Sequence, residues 1–171
     1  SNVDVTNDEA HIWSAFDGSG SYYDYIRFNN LNDGVLKWTI AESDNGGIEG
    51  ALVPTQVFRD PGAWYHMVFA FDSTAAATDR MRMYVNGVEV TDFSTDTNPD
   101  ADFQCNNINT QCRHRVGSSA YPASPTDGSM DGYMAEVYFI DGTALDADDF
   151  GETSSTTNQW IPLDGDDVKD A

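Results

Sequence analysis

Several Asp and Asn residues of this sequence stand in polar, Gly- and Ser-rich stretches, where their side-chain oxygens could bind a cation. Asp17 and Asp24 bracket the run Asp-Gly-Ser-Gly-Ser-Tyr-Tyr-Asp, Asn45 follows Asp44, and Asp127 precedes a long apolar stretch. Calcium takes about six to eight oxygen ligands, so we predict Asp17, Asp24 and Asp127 as metal ligands and calcium as the cofactor. None of these stretches is an EF-hand loop, and Asp and Asn also favour ordinary solvated turns.

Three tyrosines, Tyr22, Tyr23 and Tyr121, stand beside polar residues. Sugar-binding proteins commonly stack an aromatic ring on the apolar face of a pyranose and bracket the sugar with amides or carboxylates. We therefore predict Tyr22, Tyr23, Asn45 and Tyr121 as ligand-binding residues. The alternative is that these are ordinary exposed tyrosines without a ligand.

The two cysteines, Cys105 and Cys112, are separated by six residues in a polar stretch. In an oxidising compartment they could pair, and a disulfide that closes so short a loop stabilises a protein by about 2–3 kcal/mol. His114 follows closely, but a structural zinc site needs four ligands and the sequence has no second cysteine pair. We therefore predict a disulfide rather than a zinc site.

Glycoside hydrolysis is the enzymatic reaction to weigh, and it needs two carboxylates that flank the glycosidic bond. Glu136 lies in a predicted strand, from which a catalytic carboxylate could project. Its neighbours on the same face of that strand are Met134 and Tyr138, so it has no second carboxylate within reach. We expect Glu136 to pair with an arginine such as Arg82 or Arg115, or to be solvated. The sequence therefore predicts a protein that is not an enzyme.

Charge narrows the range of partners. Acidic residues outnumber basic ones 29 to 8, which gives a formal net charge of −21. Because nucleic-acid binders neutralise phosphates with clustered Lys and Arg, we expect no nucleic-acid partner, and anionic membranes are disfavoured for the same reason. The acidity predicts a highly soluble surface suited to salty water, or one that binds divalent cations. No apolar run reaches the ~18–20 residues of a membrane span, so we expect no membrane insertion.

The elements that would position these residues are strands. Short apolar stretches with two-residue alternation, separated by Gly, Asp and Asn, are typical of an antiparallel sandwich. The predicted strands span residues 11–16, 22–29, 35–41, 50–54, 63–72, 80–86, 88–92, 113–118 and 133–141. Asn86-Gly87 predicts a tight hairpin, with Met81, Met83 and Val85 facing the core.

The remaining elements complete one domain. A short helix is predicted at 144–150, and long loops at 17–21, 43–48, 91–111 and 119–129 are expected to carry recognition. A chain of 171 residues fits a single domain. We place this domain at residues 1–163 and an acidic tail or linker at 164–171.

Several stretches carry a resemblance to a known family. They are Gln56-Val-Phe-Arg-Asp-Pro-Gly-Ala-Trp-Tyr-His, Arg82-Met-Tyr-Val-Asn-Gly-Val-Glu-Val, Asp131-Gly-Tyr-Met-Ala-Glu-Val-Tyr-Phe-Ile-Asp-Gly-Thr-Ala-Leu, Asp149-Phe-Gly-Glu152 and Gln159-Trp-Ile-Pro162. Over residues 50–163 the chain resembles laminin-G-like domains, of the concanavalin-A-like lectin type, in bacteriophage tail, fibre and capsid-decorating proteins. The resemblance implies an all-β jelly-roll sandwich of two antiparallel sheets. It also implies a structural protein of the virion surface, with other virion proteins and host cell-surface glycans as partners.

One departure from that family affects the expected assembly. The family's opening strand, of the type Trp-Thr-Phe-Ser-x-Trp-Val, has no evident counterpart at the start of this sequence. A sandwich without it would have an open edge unless another chain completed it, so we expect a homo-oligomer or part of a larger assembly. The predicted function is a virion surface module, in a fibre, spike or capsid decoration, that binds host glycans or neighbouring subunits. The alternative is a secreted, extracellular carbohydrate-binding or adhesion module outside any phage.

Overall fold

The structure is a computed structural model that describes residues 9–18, 22–29, 33–43, 47–60, 62–105, 107–108, 110–120 and 128–169. The strands are β1 (Ala10–Phe16), β2 (Tyr22–Phe28), β3 (Leu36–Ser43), β4 (Gly50–Pro54), β5 (Met67–Phe71), β6 (Met81–Val85), β7 (Val88–Glu89), β8 (Phe93–Thr97), β9 (Arg113–Val116), β10 (Gly151–Thr153) and β11 (Trp160–Pro162). A 3₁₀-helix spans Ala147–Asp149 and a short α-helix, α1, spans Gly165–Lys169. No helix among the described residues has the length and apolar character needed to cross a bilayer.

Six strands form one antiparallel sheet in the order β8-β4-β3-β2-β1-β9. An apolar row runs across it, because Trp13 lies opposite Ile26, Ile26 opposite Trp38, and Trp38 opposite Leu52. A shift of any strand by one residue would turn its side chains to the other face, so this row fixes the register. The edges of the sheet within the described part of the chain are β8 and β9.

A three-stranded antiparallel sheet, in the order β5-β6-β7, packs on the face that carries this row, which we call the inner face. Met83 is fully buried and Met81 and Val85 are buried, so the predicted inward direction of β6 is confirmed. The Trp38 ring meets Phe69 edge-on, with 5.5 Å between ring centroids. The predicted sandwich of two antiparallel sheets is therefore confirmed.

A small hairpin of β10 and β11 fastens the C-terminal part of the domain to the three-stranded sheet. Its Trp160 ring lies so close to Gly87 and Gly151 that an added Cβ would stand 2.3 Å and 2.6 Å from ring carbons. The indole Nε1–H donates to Nδ1 of His66 at 3.1 Å, and burial lowers the pKa of His66, which favours the neutral ring that can accept this bond. We call Trp160 with these two glycines and His66 the tryptophan clasp.

The opposite, outer face of the six-stranded sheet is covered at β1 by a later part of the chain. Ser14 Oγ donates to the Ser118 carbonyl at 2.9 Å and accepts from the Ala120 N–H at 2.6 Å. Further along β1, the His11 N–H donates to the Gly128 carbonyl at 2.9 Å. The side chains of Ser14 and His11 are consequently buried, although they point away from the core between the sheets.

Residues 131–141, predicted to include a long strand, do not form one. Glu136 has a φ of 51°, in the left-handed region, which interrupts the two-residue alternation of a strand. Beyond it, Phe139 packs on the inner face with its ring 6.0 Å from that of Trp13, while Tyr138 turns the other way. The segment therefore lies beside the sandwich without joining a sheet, and Phe139 remains 55% exposed.

Two further elements differ from the sequence prediction. β8 forms within residues 91–111, which were expected to be loop, because its backbone pairs with β4. The helix expected at 144–150 is reduced to the 3₁₀-helix, which is capped by Asp146. The stretch 164–171, predicted as an acidic tail or linker, contains α1, whose Val168 is buried.

Candidate functional site

An open groove of about 360 Å³ lies beside β7, between the chain that follows β4 and the connection from β7 to β8. Its lining residues are Thr55, Gln56, Val85, Val88, Glu89, Val90, Thr91 and Asp92. The volume lies at the lower end of the ~300–1,000 Å³ usual for small-ligand sites. We call it the β7 groove.

Local structure places both walls of the β7 groove. Asn86 and Gly87 have φ values of 50° and 80°, which form the tight turn that directs β7 back along β6. On the other wall, the Thr55 N–H donates to the Asp92 carbonyl at 3.0 Å, and Thr55 Oγ1 donates to Asp92 Oδ2 at 2.8 Å. These bonds hold one carboxylate in place at the mouth of the groove.

The β7 groove combines an apolar strip with hydrogen-bonding groups. Val88, 69% exposed, presents methyl groups, while Gln56 offers an amide and Asp92 offers a carboxylate. Glu89 pairs with Tyr84 in β6, so its side chain points to the other face of β7 from that of Val88. Carboxylates accept strongly from hydroxyl groups, and an amide both donates and accepts. The arrangement suits a small, neutral, polyhydroxylated ligand, because the Asp92 carboxylate repels an anionic one.

The predicted ligand-binding residues lie away from this groove. Tyr23 is half-buried in β2, where its ring stacks on that of Tyr25 with 5.6 Å between centroids. The side chain of Tyr22, and Asn45 and Tyr121 entirely, lie outside the described residues. The predicted sugar contacts of these residues stay predictions.

Two of the predicted metal ligands lie within the described residues, and their surroundings differ. Asp17 is exposed immediately after β1, whereas Asp24 is fully buried within β2. Asp127 lies outside the described residues. In the described part of the chain, no three His, Cys, Asp or Glu side chains converge into a group that could hold a metal ion.

Cys105 and Cys112 are free thiols, so the predicted disulfide is not formed. Cys105 packs against the core, and burial, with a smaller effect of the Asp24 carboxylate, raises the pKa of its thiol to about 12. The Cys112 thiol instead donates to the Asn107 carbonyl at 3.3 Å and lies 3.4 Å from Nε2 of His114. Each sulfur thus has its own contacts within the domain.

Because both thiols are free, we expect a reducing agent to leave the melting temperature unchanged. A disulfide worth about 2–3 kcal/mol would instead make the reduced protein melt about 5–10 °C lower. Differential scanning calorimetry with and without dithiothreitol measures this difference. Thiol titration after unfolding should find two free thiols per chain, and a result near zero would contradict the prediction.

Glu136 is exposed to solvent, which was one of the two expectations for this residue, but it does not lie in a strand. It lies in the exposed segment 131–141, where Tyr138 Oη donates to its Oε2 at 2.6 Å. Neither arginine named as a partner reaches it: Arg82 donates to Tyr84 Oη and Arg115 to the Ser119 carbonyl. Glu136 therefore does not project from a sheet face into a cleft, as a catalytic carboxylate of this fold would.

Sequence reasoning missed the β7 groove. Asn86-Gly87 predicted the hairpin that forms one wall, but Thr55 and Asp92 stand far apart in the sequence and only the pairing of β4 with β8 brings them together. The available signal was the pair of polar ends, Thr55-Gln56 after an apolar strand and Thr91-Asp92 after the hairpin. Residues 91–92 lie at the border of the predicted strand 88–92 and the predicted loop 91–111, residues 55–56 follow the predicted strand 50–54, and neither pair was recognised as a site.

The comparisons with known proteins agree with this architecture. A laminin G family model, described as the concanavalin A-like lectin/glucanases superfamily, matches residues 2–149. No curated protein and no solved structure matches the chain. The family match covers most of the sequence and includes both main sheets and the β7 groove. The chain therefore belongs to the concanavalin A-like lectin/glucanases superfamily.

Proposed function

We propose that the protein is a non-enzymatic, extracellular carbohydrate-binding or adhesion module that holds a neutral sugar in the β7 groove. The observation that carries this proposal is the lining of that groove, in which the Gln56 amide and the Asp92 carboxylate accompany the exposed methyl groups of Val88. Pyranose rings have apolar C–H faces and rims of hydroxyl groups, and this lining matches both. Membership of a superfamily that includes lectins supports the same assignment.

The exposure of the groove carboxylates supports binding rather than hydrolysis. A glycosidase general acid must stay protonated near neutral pH, which requires an enclosed, apolar environment around its carboxyl group. Glu89 and Asp92 are exposed to solvent, and Asp92 accepts a hydrogen bond from Thr55. Asp92, at the mouth of the groove, is therefore suited to accept hydrogen bonds from sugar hydroxyl groups. Release of reducing ends from a soluble polysaccharide would contradict this part of the proposal.

Substitution of groove residues should weaken sugar binding. We expect Asp92→Ala or Gln56→Ala to raise the Kd for a neutral oligosaccharide by about tenfold, because each removes hydrogen bonds worth about 1.5 kcal/mol. An array of neutral and acidic glycans identifies the ligand, and titration calorimetry then measures the affinity. Glu152→Ala, which removes an exposed carboxylate from β10, is the matched control and should bind as the unmodified protein does.

Two further comparisons in the glycan experiment test the charge of the ligand and the role of calcium. Acidic glycans should bind more weakly than their neutral counterparts, and a preference for them would contradict the groove as the site. The experiment is run with millimolar calcium and with a chelator, because calcium is the proposed cofactor. Equal affinities and equal melting temperatures in both would reject a role for calcium.

We place this module on the surface of a virion as part of the same proposal. The support is the resemblance of Asp131-Gly-Tyr-Met-Ala-Glu-Val-Tyr-Phe-Ile-Asp and Asp149-Phe-Gly-Glu152 to segments of phage tail, fibre and decorating proteins. Mass spectrometry of purified particles should then detect the chain. Its recovery only from the particle-free medium would favour a secreted adhesion module.

A further inference from the structure

The two edges of the six-stranded sheet carry opposite charge. The β9 edge contains the run Arg113-His114-Arg115, in a chain with 8 basic residues in all. The β8 edge lies in the stretch from Val88 to Phe103, which contains five carboxylates and no Lys, Arg or His. Segment 131–141, whose Phe139 ring lies 6.1 Å from that of His114, also contains Asp131, Glu136 and Asp141, but the two edge strands themselves carry charges of opposite sign, Asp96 on β8 and Arg113 and Arg115 on β9.

Both edges also present backbone groups that can pair. The Gly117 N–H donates to the Ile12 carbonyl at 2.9 Å, so by antiparallel alternation Arg115 also bonds to β1. The N–H and C=O groups of His114 and Val116 then point away from β1. Within the described part of the chain no backbone hydrogen bond reaches these outward groups, and β8 likewise pairs on one side alone.

The topology makes the two edges complementary in direction. All neighbours in the six-stranded sheet are antiparallel, and an even number of strands leaves β8 and β9 running in opposite directions. If a second molecule is placed beside the first with its inner face on the same side, its β8 therefore lies antiparallel to β9. The strands have similar lengths, five residues for β8 and four for β9.

We propose that β8 of one molecule pairs antiparallel with β9 of the next, so that the six-stranded sheet continues head-to-tail through identical copies. Pairing of two like edges is disfavoured. If two β9 strands paired, Arg113 and Arg115 of one molecule would face Arg113 and Arg115 of the other. If two β8 strands paired, Asp96 of one molecule would lie near Asp96 of the other, and in both cases like charges would repel. Joining unlike edges generates a ring or an open filament, whereas joining like edges would stop at a dimer.

The net charge predicts how this association depends on salt. Two copies with a formal charge of −21 each repel one another over long distances. At about 0.15 M ionic strength the Debye length is ~8 Å. Salt then screens the long-range repulsion between the two molecules more than it weakens the attraction between opposite charges in contact at the paired edges. Association should therefore strengthen between about 0.02 M and 0.15 M NaCl.

The test is sedimentation velocity of the full chain across a concentration series, with one edge blocked at a time. Val116→Pro removes an N–H that points away from β1, and Thr97→Lys adds a positive charge to the exposed edge of β8. Each variant alone should be monomeric, with at least about tenfold weaker self-association than the unmodified protein. Mixed in equal amounts they should form dimers and nothing larger, because one β8 edge and one β9 edge remain intact.

The controls separate this proposal from a general effect of charge or misfolding. Ala77→Lys makes the same charge change on an exposed turn and should associate as the unmodified protein does. Val116→Glu replaces the proline variant if circular dichroism shows that the latter does not fold. A monomeric unmodified protein at millimolar concentration, a limit at dimers, or a mixture that stays monomeric would each overturn the proposal. Loss of association with sugar binding intact would leave the proposed function standing.

Discussion

Replacing Gly87 with alanine should lower the free energy of unfolding by about 2–4 kcal/mol. The reason has two parts. Gly87 has a φ of 80°, which costs a residue with a Cβ about 1–2 kcal/mol. The added methyl group would also stand 2.3 Å from a carbon of the Trp160 ring, so the tryptophan clasp must shift or open. Urea unfolding followed by fluorescence measures the change.

Two further variants separate these contributions. Gly142 has a φ of 90° and no atom within 4 Å of its added Cβ, so Gly142→Ala carries the backbone cost alone. In a Trp160→Leu background, Gly87→Ala should cost about as much as Gly142→Ala, because the ring that it would meet is gone. An unchanged cost in that background would show that the clasp does not limit the size of residue 87.

Acidification should destabilise the protein through His11, by about 3 kcal/mol in all. Burial, with a smaller effect of the nearby Arg27 guanidinium, lowers the pKa of His11 from 6.5 to about 4. The folded state therefore keeps this ring neutral while the unfolded state takes up a proton. The stability loss begins as the pH falls below about 6.5 and is complete near pH 4.

The comparison with His11→Gln isolates this contribution from the many carboxylates that titrate in the same range. Urea unfolding at about pH 7.0, 5.5 and 4.5 gives the free energy of unfolding of each protein. The free energy of unfolding of the unmodified protein, relative to that of the variant, should fall as the pH falls, because only the unmodified protein must protonate His11 or keep it neutral and buried. A constant difference would contradict the assignment to His11.

The sheets could be predicted because their information is local. Met81, Met83 and Val85 alternate with polar residues, and Asn86-Gly87 specifies a turn that few other pairs adopt. β8 could not be found in this way, because Phe-Ser-Thr-Asp-Thr has a single apolar residue and becomes a strand through its pairing with β4. The opposite error occurred at residues 131–141, where a strand was predicted and none forms. Their strong two-residue alternation gave no sign of the left-handed backbone conformation at Glu136.

The candidate site was less predictable than the fold for a related reason. Candidate sites were predicted in loops rich in Asp, Asn and Tyr, because each of these residues could bind a ligand by itself. The β7 groove exists only where the chain that follows β4 lies beside the connection from β7 to β8, and neither Gln56 nor Asp92 is distinctive by itself. The same holds for Cys112, whose contact with the Asn107 carbonyl could not be read from the spacing of the cysteines.

The chain segment that covers β1 limits how a glycan can approach. Ser14 and His11 are buried beneath the backbone of Ala120 and Gly128, so a long polymer cannot lie flat across this part of the sheet. The β7 groove is open to the side but holds only about 360 Å³. Under the proposed function, a site of that shape would select the ends and branch tips of glycans over internal stretches, and the number of tips on a surface would then set how firmly an array of these domains adheres.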